Sequence, residues 1–270
     1  MNSAERFRTT DPLDLFRSLR DRDLRREGMG IAEGRLLAQR IIASDLPILA
    51  LLCSPRMARE FEASSRGRFP VLVYPEEGIR KIAGFPFHRG VMAAFRRPPL
   101  RLPGEHRDEL SKAYRLVIAP NITSDENLGS LIRTAAALGY QGLMLGKAST
   151  DPWSRRAFRV SMGAPLSLPL YGMGDEEECR DIIKDLGYTV YGTSLAAGAR
   201  PLEELTGPER GALVFGNEAS GLPAPWDAHC DEYIQIPMAA GIDSLNVAVS
   251  AGIILYALRP NRLPPAGPGS

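Results

Sequence analysis

Apolar positions in the first hundred residues switch between two periods. Residues 33–43 repeat at the helical spacing, and residues 48–53 form a short unbroken apolar run that reads as a strand. The same reading gives a helix at 55–63, a strand at 71–74, a short helix at 76–82 and a strand at 90–95. That alternation predicts a small α/β layer domain of roughly one hundred residues. The pattern then stops at Arg96-Arg97-Pro98-Pro99-Leu100-Arg101-Leu102-Pro103-Gly104, where proline and charge favour extended, exposed chain. Beyond it, strands are expected at 115–119, 143–145, 189–191, 213–215 and 233–236. Helices are expected at 128–138, 176–186 and 244–258. Strands alternating with helices argue for a mostly parallel sheet covered on both faces. The expected division is therefore residues 1–98, a linker at 99–112, and a second domain at 113–270.

Composition narrows the class. With 44% hydrophobic and 24% charged residues the chain reads as an ordinary globular protein. The longest apolar runs, 46–53 and 247–258, fall short of the ~18 residues that a membrane span needs. The first thirty residues are rich in arginine and hold no apolar stretch, which argues against a secretory signal. A soluble, cytoplasmic protein is expected. Cys53, Cys179 and Cys230 are far apart, and His88, His106 and His229 do not cluster with them, so neither a disulfide framework nor a metal site is expected. Charge is uneven. Residues 1–110 hold 20 Lys/Arg against 15 Asp/Glu, and residues 111–270 hold 13 against 17, so a polyanion partner suits the first half.

The common nucleotide loops are missing. Gly28-Met29-Gly30 with Gly34 has the wrong spacing for a dinucleotide fingerprint, and Gly146-Lys147 is followed by Ala148. Three other junction segments stand out. In Asn127-Leu128-Gly129-Ser130-Leu131-Ile132-Arg133, the apolar stripe runs through Leu128, Leu131 and Ile132, and Arg133 lies off it. Helical side chains lean toward the amino terminus, so its guanidinium would reach toward Asn127, where the helix end already favours anions. The plain alternative is an exposed arginine paired with a surface carboxylate. In Gly216-Asn217-Glu218-Ala219-Ser220-Gly221-Leu222, a strand ends in a polar loop whose glycines let the backbone approach a ligand. Glu218 would orient Arg133 or a substrate there; the plain alternative is a turn before Pro223. In Ile236-Pro237-Met238 and Ser244-Leu245-Asn246-Val247, Ser244 is placed to cap the last helix, and the apolar residues suit a flat ring.

In this order, the three segments resemble the signature motifs of the SpoU (TrmH-like) family, within the SPOUT class of RNA methyltransferases. Asn127, Gly129 and Arg133 match its first motif, and Gly216, Glu218, Gly221 and Leu222 its second. Ile236-Pro237-Met238 and Ser244-Leu245-Asn246-Val247 match its third, and residues 159–164 its intervening segment. The resemblance covers about residues 113–258. It implies an α/β SPOUT domain with a trefoil knot, an obligate homodimer, and S-adenosyl-L-methionine held near Thr193, Gly216, Ile236 and Leu245. It also implies 2′-O-methylation of RNA, with Arg133 activating the ribose hydroxyl and Asn127, Glu218, Ser244 and Asn246 positioning it. Ile31-Ala32-Glu33-Gly34 and His88-Arg89-Gly90-Val91 resemble, more weakly, the small ribosomal-protein-like RNA-binding domain that many members carry. On this view residues 1–98 select RNA, and residues 113 onward bind cofactor and dimerise. A base-methylating relative and a catalytically silent RNA-binding protein are rival readings, and a third, a generic α/β hydrolase or oxidoreductase, lacks its nucleophile elbow or dinucleotide loop. A structured RNA is the expected substrate, ribosomal in preference to transfer RNA.

Overall fold

The computed structural model describes residues 11–17, 19–85, 87–193, 198–205, 207–217, 220–239, 241 and 244–260. In chain order these form α1 (Asp21–Arg26), β1 (Met29–Glu33), α2 (Arg35–Ala43), β2 (Ile48–Cys53), α3 (Pro55–Ser65) and β3 (Val71–Val73). Next come α4 (Glu76–Ala83), β4 (Val91–Arg96), α5 (Arg107–Lys112), β5 (Arg115–Ala119), α6 (Asp125–Ala137) and β6 (Gly142–Leu145). Then α7 (Arg155–Val160), β7 (Leu170–Gly172), α8 (Glu176–Asp185), β8 (Thr189–Thr193) and β9 (Arg200–Pro201) follow. The last are β10 (Gly211–Val214), α9 (Ala224–Asp227), β11 (Glu232–Gln235) and α10 (Val247–Ala257). By their contacts these fall into two units, Met1–Pro99 with Trp153–Gly163, and Leu100–Pro152 with Ala164–Ser270. The segment Trp153–Gly163 thus groups with the first unit, although it lies within the stretch 113–270.

In the first unit the strand order is β1-β4-β2-β3, with β4 antiparallel to both neighbours and β2 parallel to β3. Every residue of β1 is buried, so its sequence lacks the alternation that announces a half-exposed strand. Its glycine serves packing, since a Cβ on Gly30 would lie 2.3 Å from the Phe95 ring. Glu33 therefore ends a strand, where the periodicity suggested the start of a helix. Its carboxylate is only 4% exposed and accepts from Arg155 at 2.6 Å and Arg159 at 3.3 Å. A buried charge is tolerable when paired in this way. Trp153 and Phe158 stack at 5.6 Å, and Phe158 packs against Phe95 at the same separation. Salt bridges and rings together tie α7 to β1 and β4.

The second unit holds a parallel sheet in the order β7-β6-β5-β10-β8-β11-β9. Successive residues of β5 point to opposite faces, as strand geometry requires. Val117 and Ala119 enter a core with Leu128, Leu131 and Ile132 of α6 and Ala251, Ile254 and Leu255 of α10. Leu116 and Ile118 enter another with Leu110 of α5, Cys179 and Ile182 of α8, and Trp226 of α9. Both faces are covered, which is why these strands read as continuous apolar runs. Two polar groups fix the end of α10. The Tyr140 hydroxyl donates to the Leu255 carbonyl at 3.1 Å. The buried Arg115 guanidinium donates to the carbonyls of Leu258 at 2.9 Å, Glu209 at 2.9 Å and Tyr114 at 3.1 Å. Burial lowers its pKa from the ordinary arginine value.

Candidate active site

In an open parallel sheet, ligands bind beyond the carboxyl ends of the strands, where neighbouring connections diverge. Here the chain leaves β5 toward β6 and β7, whereas the other neighbour of β10 is β8. A pocket of about 270 Å³ opens near this divergence, at the ends of β8, β10 and β11. Thr193 closes β8, Gly216 follows β10, Ile236 follows β11, and Leu245 precedes α10; all four line the pocket, and so does Ser244. Ile234, Met238 and Val247 add apolar wall, with Asn217 and Ser250 as polar lining. The Thr193 hydroxyl donates to the Val214 carbonyl at 3.1 Å, linking β8 to β10 beside the cavity.

The loop after β10 folds back on itself. Asn217 and Gly221 exchange backbone hydrogen bonds of 3.1 and 2.8 Å. A Cβ on Gly216 would meet the Gly221 carbonyl at 2.4 Å, so the close approach requires glycine there. Gly221 itself has φ +67°, a left-handed conformation that glycine adopts without strain. Glu218, at the tip of this loop in sequence, lies outside the described residues.

The sequence placed the start of α6 at Leu128; it lies at Asp125, one polar turn earlier, capped by Ser124, whose hydroxyl accepts from the Asn127 N–H at 3.4 Å. Asn127 therefore sits in the first helical turn, and Arg133 follows six residues later on the same helix. Arg133 is exposed, and among the described residues it has no hydrogen-bond or ion-pair partner. Asn127 is joined to the third motif, because the Asn246 Nδ2 donates to its Oδ1 at 3.0 Å.

One expectation is corrected. Ser244 is not the cap of α10. Asn246 is, with its Oδ1 accepting from the Ala248 N–H at 2.9 Å, while Ser244 stays in the pocket wall. Residues 244–246 are not helical, so α10 begins at Val247, three residues later than periodicity suggested, because the apolar repeat does not reveal where the backbone turns helical. Asn121 and Asn217 carried no role in the sequence reading, yet they bond across this site. The position of Asn217 inside the glycine-flanked second motif was the one available signal. Among the described residues no three His, Cys, Asp or Glu side chains gather as a metal group. None of the described helices is long and apolar enough to cross a membrane.

The pocket combines apolar faces for a flat ring with backbone and hydroxyl groups for its polar edge, an arrangement suited to an adenosine-like ligand. The family model described as the SpoU rRNA methylase family matches residues 114–256. An uncharacterised tRNA/rRNA methyltransferase of Mycobacterium bovis is 34% identical over 256 residues, covering 91% of this chain and 88% of the relative. A 23S rRNA (guanosine-2′-O-)-methyltransferase of Acinetobacter baylyi is 32% identical over 184 residues, covering 67% and 74%. The crystal structure of an AdoMet-bound rRNA methyltransferase from Sinorhizobium meliloti superposes with a TM-score of 0.78 at 25% identity, covering 92% of each chain.

Proposed function

This chain belongs to the SpoU rRNA methylase family, and on that premise we propose that it methylates a ribose 2′-hydroxyl in a structured, ribosomal RNA. It is an S-adenosylmethionine-dependent RNA methyltransferase. The ribose as acceptor rests chiefly on one observation: Asn127 and Asn246, from the first and third motifs, meet at 3.0 Å on the wall-forming end of α10. The guanosine-2′-O specificity named for the Acinetobacter relative supports both the ribose and the ribosomal RNA.

The lining fits the cofactor. Ile236 and Leu245 supply apolar surface, Gly216 brings backbone close because it has no side chain, and Thr193 presents a hydroxyl. Bound there, S-adenosylmethionine supplies a methyl group on a sulfonium, ready for in-line displacement. The chain's own residues must then handle the oxygen. A ribose hydroxyl is a poor nucleophile at neutral pH, and charge developing on it needs stabilisation. Arg133 is the group assigned to that task. Its guanidinium stays protonated, so it acts by electrostatics and hydrogen bonding, and the proton passes to an acceptor on the RNA, such as a neighbouring phosphate. Asn127 and Asn246 position the ribose, with Ser244 and Glu218 assigned to the same constellation.

The remaining assignments extend this reading. The carboxyl-terminal third carries the family's trefoil knot, an exception to the rule against threaded chains. The protein works in the cytoplasm as a homodimer. In support, α10 is apolar on a second face, where Val249, Ile253 and Tyr256 are 52%, 41% and 58% exposed at helical spacing. The first unit is the ribosomal-protein-like RNA selector, in keeping with the basic excess of residues 1–110.

The test is direct. Purified protein, labelled S-adenosylmethionine and separate pools of ribosomal and transfer RNA are incubated, and the RNA is digested to nucleosides. A ribose-methylated nucleoside from ribosomal RNA is expected. Base methylation would overturn the ribose assignment, and product from transfer RNA alone would overturn the substrate.

A further inference from the structure

The pocket and the amino-terminal end of α6 sit on neighbouring strands, β10 and β5. Their ladder ends where the Phe215 N–H donates to the Ile118 carbonyl at 2.9 Å. Past that bond the two chains turn to different tasks, one forming the loop at 216–222 and the other leading to the cap of α6 at Ser124. Side chains take over the pairing. The Asn217 Nδ2 donates to the Asn121 carbonyl at 3.4 Å and to the Thr123 hydroxyl at 3.2 Å. In return, the Asn121 Nδ2 donates to the Gly221 carbonyl at 3.3 Å and to the Ser220 hydroxyl at 3.4 Å. Each amide thus grips the other's segment.

The grip lands on both ends of the loop. Asn217 and Gly221 are the pair already joined by backbone bonds, so both limbs of the turn are held to the β5–α6 junction. Asn217 and Gly221 also line the pocket. On the other side, Asn121 and Thr123 lie just ahead of the helix that carries Asn127 and Arg133. Single bonds of 3.2–3.4 Å are weak, but four of them in reciprocal pairs fix a relative position that one would not.

We propose that Asn121 and Asn217 are positioning residues whose crossed amide bonds set the separation between the methyl-donor pocket and the ribose-handling end of α6. The inference rests on the reading of those two places given above. Methyl transfer needs donor and acceptor atoms within about 3–3.5 Å, and a misplacement of ~1 Å can cost ~10²-fold in rate. The residues touch neither reacting atom in this account. They act through the loop and the helix.

The variants are Asn217→Ala, Asn121→Ala, their double, and Asn217→Asp, which keeps size but replaces the donor with an acceptor facing the Asn121 carbonyl. Each is measured for single-turnover methyl transfer, cofactor Kd, RNA KM and Tm. Each single substitution, including Asn217→Asp, is expected to slow transfer ~10²-fold, and in Asn121→Ala, which lies outside the pocket lining, cofactor Kd and RNA KM are expected to stay within about threefold. The double variant is expected to be no slower than the worse single, because both remove one shared device. Full rate in the singles, additive losses in the double, or a cofactor Kd that weakens in step with the rate in Asn121→Ala would each overturn the proposal. Amide exchange reads the grip without the reaction. In either Ala variant, exchange is expected to rise at both 120–124 and 216–222; a rise confined to the mutated segment would overturn the proposal even if no substrate were found. A wild-type chain inactive on every RNA, but with exchange coupled in this way, would instead sink the functional reading alone.

Discussion

Asn246 holds two helices with one carboxamide: its Oδ1 caps α10 through the Ala248 N–H, and its Nδ2 donates to the Asn127 Oδ1 in the first turn of α6. The cap decides which way the amide faces, since only the oxygen can accept from the backbone N–H, and the nitrogen is thereby turned to Asn127. Structure and proposed chemistry separate in the variants. Asn246→Ala loses both bonds, and a cap is worth ~1 kcal/mol, so Tm and methyl transfer should both fall. Asn246→Asp keeps the cap but cannot donate to Asn127. Its Tm should return near wild type while activity stays low. Activity restored along with Tm would reduce Asn246 to a cap.

Arg133 is exposed and has no partner among the described residues, so removing it should leave Tm unchanged. Arg133→Ala is expected to slow methyl transfer ~10²–10³-fold, the usual cost of losing an oxyanion-stabilising donor. Cofactor affinity should stay within a few-fold by calorimetry. Arg133→Lys should recover only part of the rate, because an ammonium lacks the planar fork of donors. Wild-type turnover in Arg133→Ala would remove it from the mechanism.

A cut at the proline-rich linker separates Glu33 from both of its cations. Residues 1–98 alone would bury the Glu33 carboxylate without Arg155 and Arg159, and an abandoned buried partner typically costs ~3–5 kcal/mol. That fragment is expected to be unfolded by circular dichroism. Residues 113–270 keep α7 but lose the strands under Trp153 and Phe158, so the fragment is expected to expose apolar rings and bind a hydrophobic dye. Glu33→Gln in the whole chain tests the charge by itself, and should lower Tm. A stably folded 1–98 would show that the pairs contribute little.

Burial pushes the thiols of Cys53, Cys179 and Cys230 up to about 11, 12 and 12 from an ordinary 9.0. A raised acid pKa means that the folded chain keeps protons the unfolded chain gives up. Stability from these groups is therefore intact below pH 9 and falls as pH rises from there through 11. Tyr140 and Tyr188 are shifted upward by burial and act in the same sense. Denaturant midpoints should decline from pH 9 to 11, and a thiol reagent at pH 8 should label the native chain far more slowly than the unfolded one. Rapid native labelling of all three would contradict the burial.

Much of the second unit could be read in advance because its signals are local. The strand Arg115–Ala119 is an unbroken apolar run after its first residue, and its predicted limits match those observed. The pocket residues Thr193, Gly216, Ile236 and Leu245 entered through motif resemblance, and they gather around one cavity. What escaped depends on distant partners. Strand β1 hides behind Gly30, whose packing makes sense only beside Phe95. Trp153–Gly163 joins the first unit through Glu33, 122 residues from Arg155. Asn121 has no pattern of its own; its place follows from Gly221, 100 residues on.

Among the described residues the buried guanidinium of Arg115 meets no carboxylate, and one of the three carbonyls it donates to belongs to Leu258, 143 residues further along the chain. A central strand that assembles early must therefore carry an incompletely satisfied cation until the final helix docks. Contacts of such span are slow to find, since a long loop must close before any of its stabilisation is realised. The sheet can condense from neighbouring pieces, but its last turn of helix supplies the acceptor that makes the centre neutral in its hydrogen bonding. A chain interrupted before residue 258 is therefore left with a buried cation that has only the Tyr114 and Glu209 carbonyls to receive it.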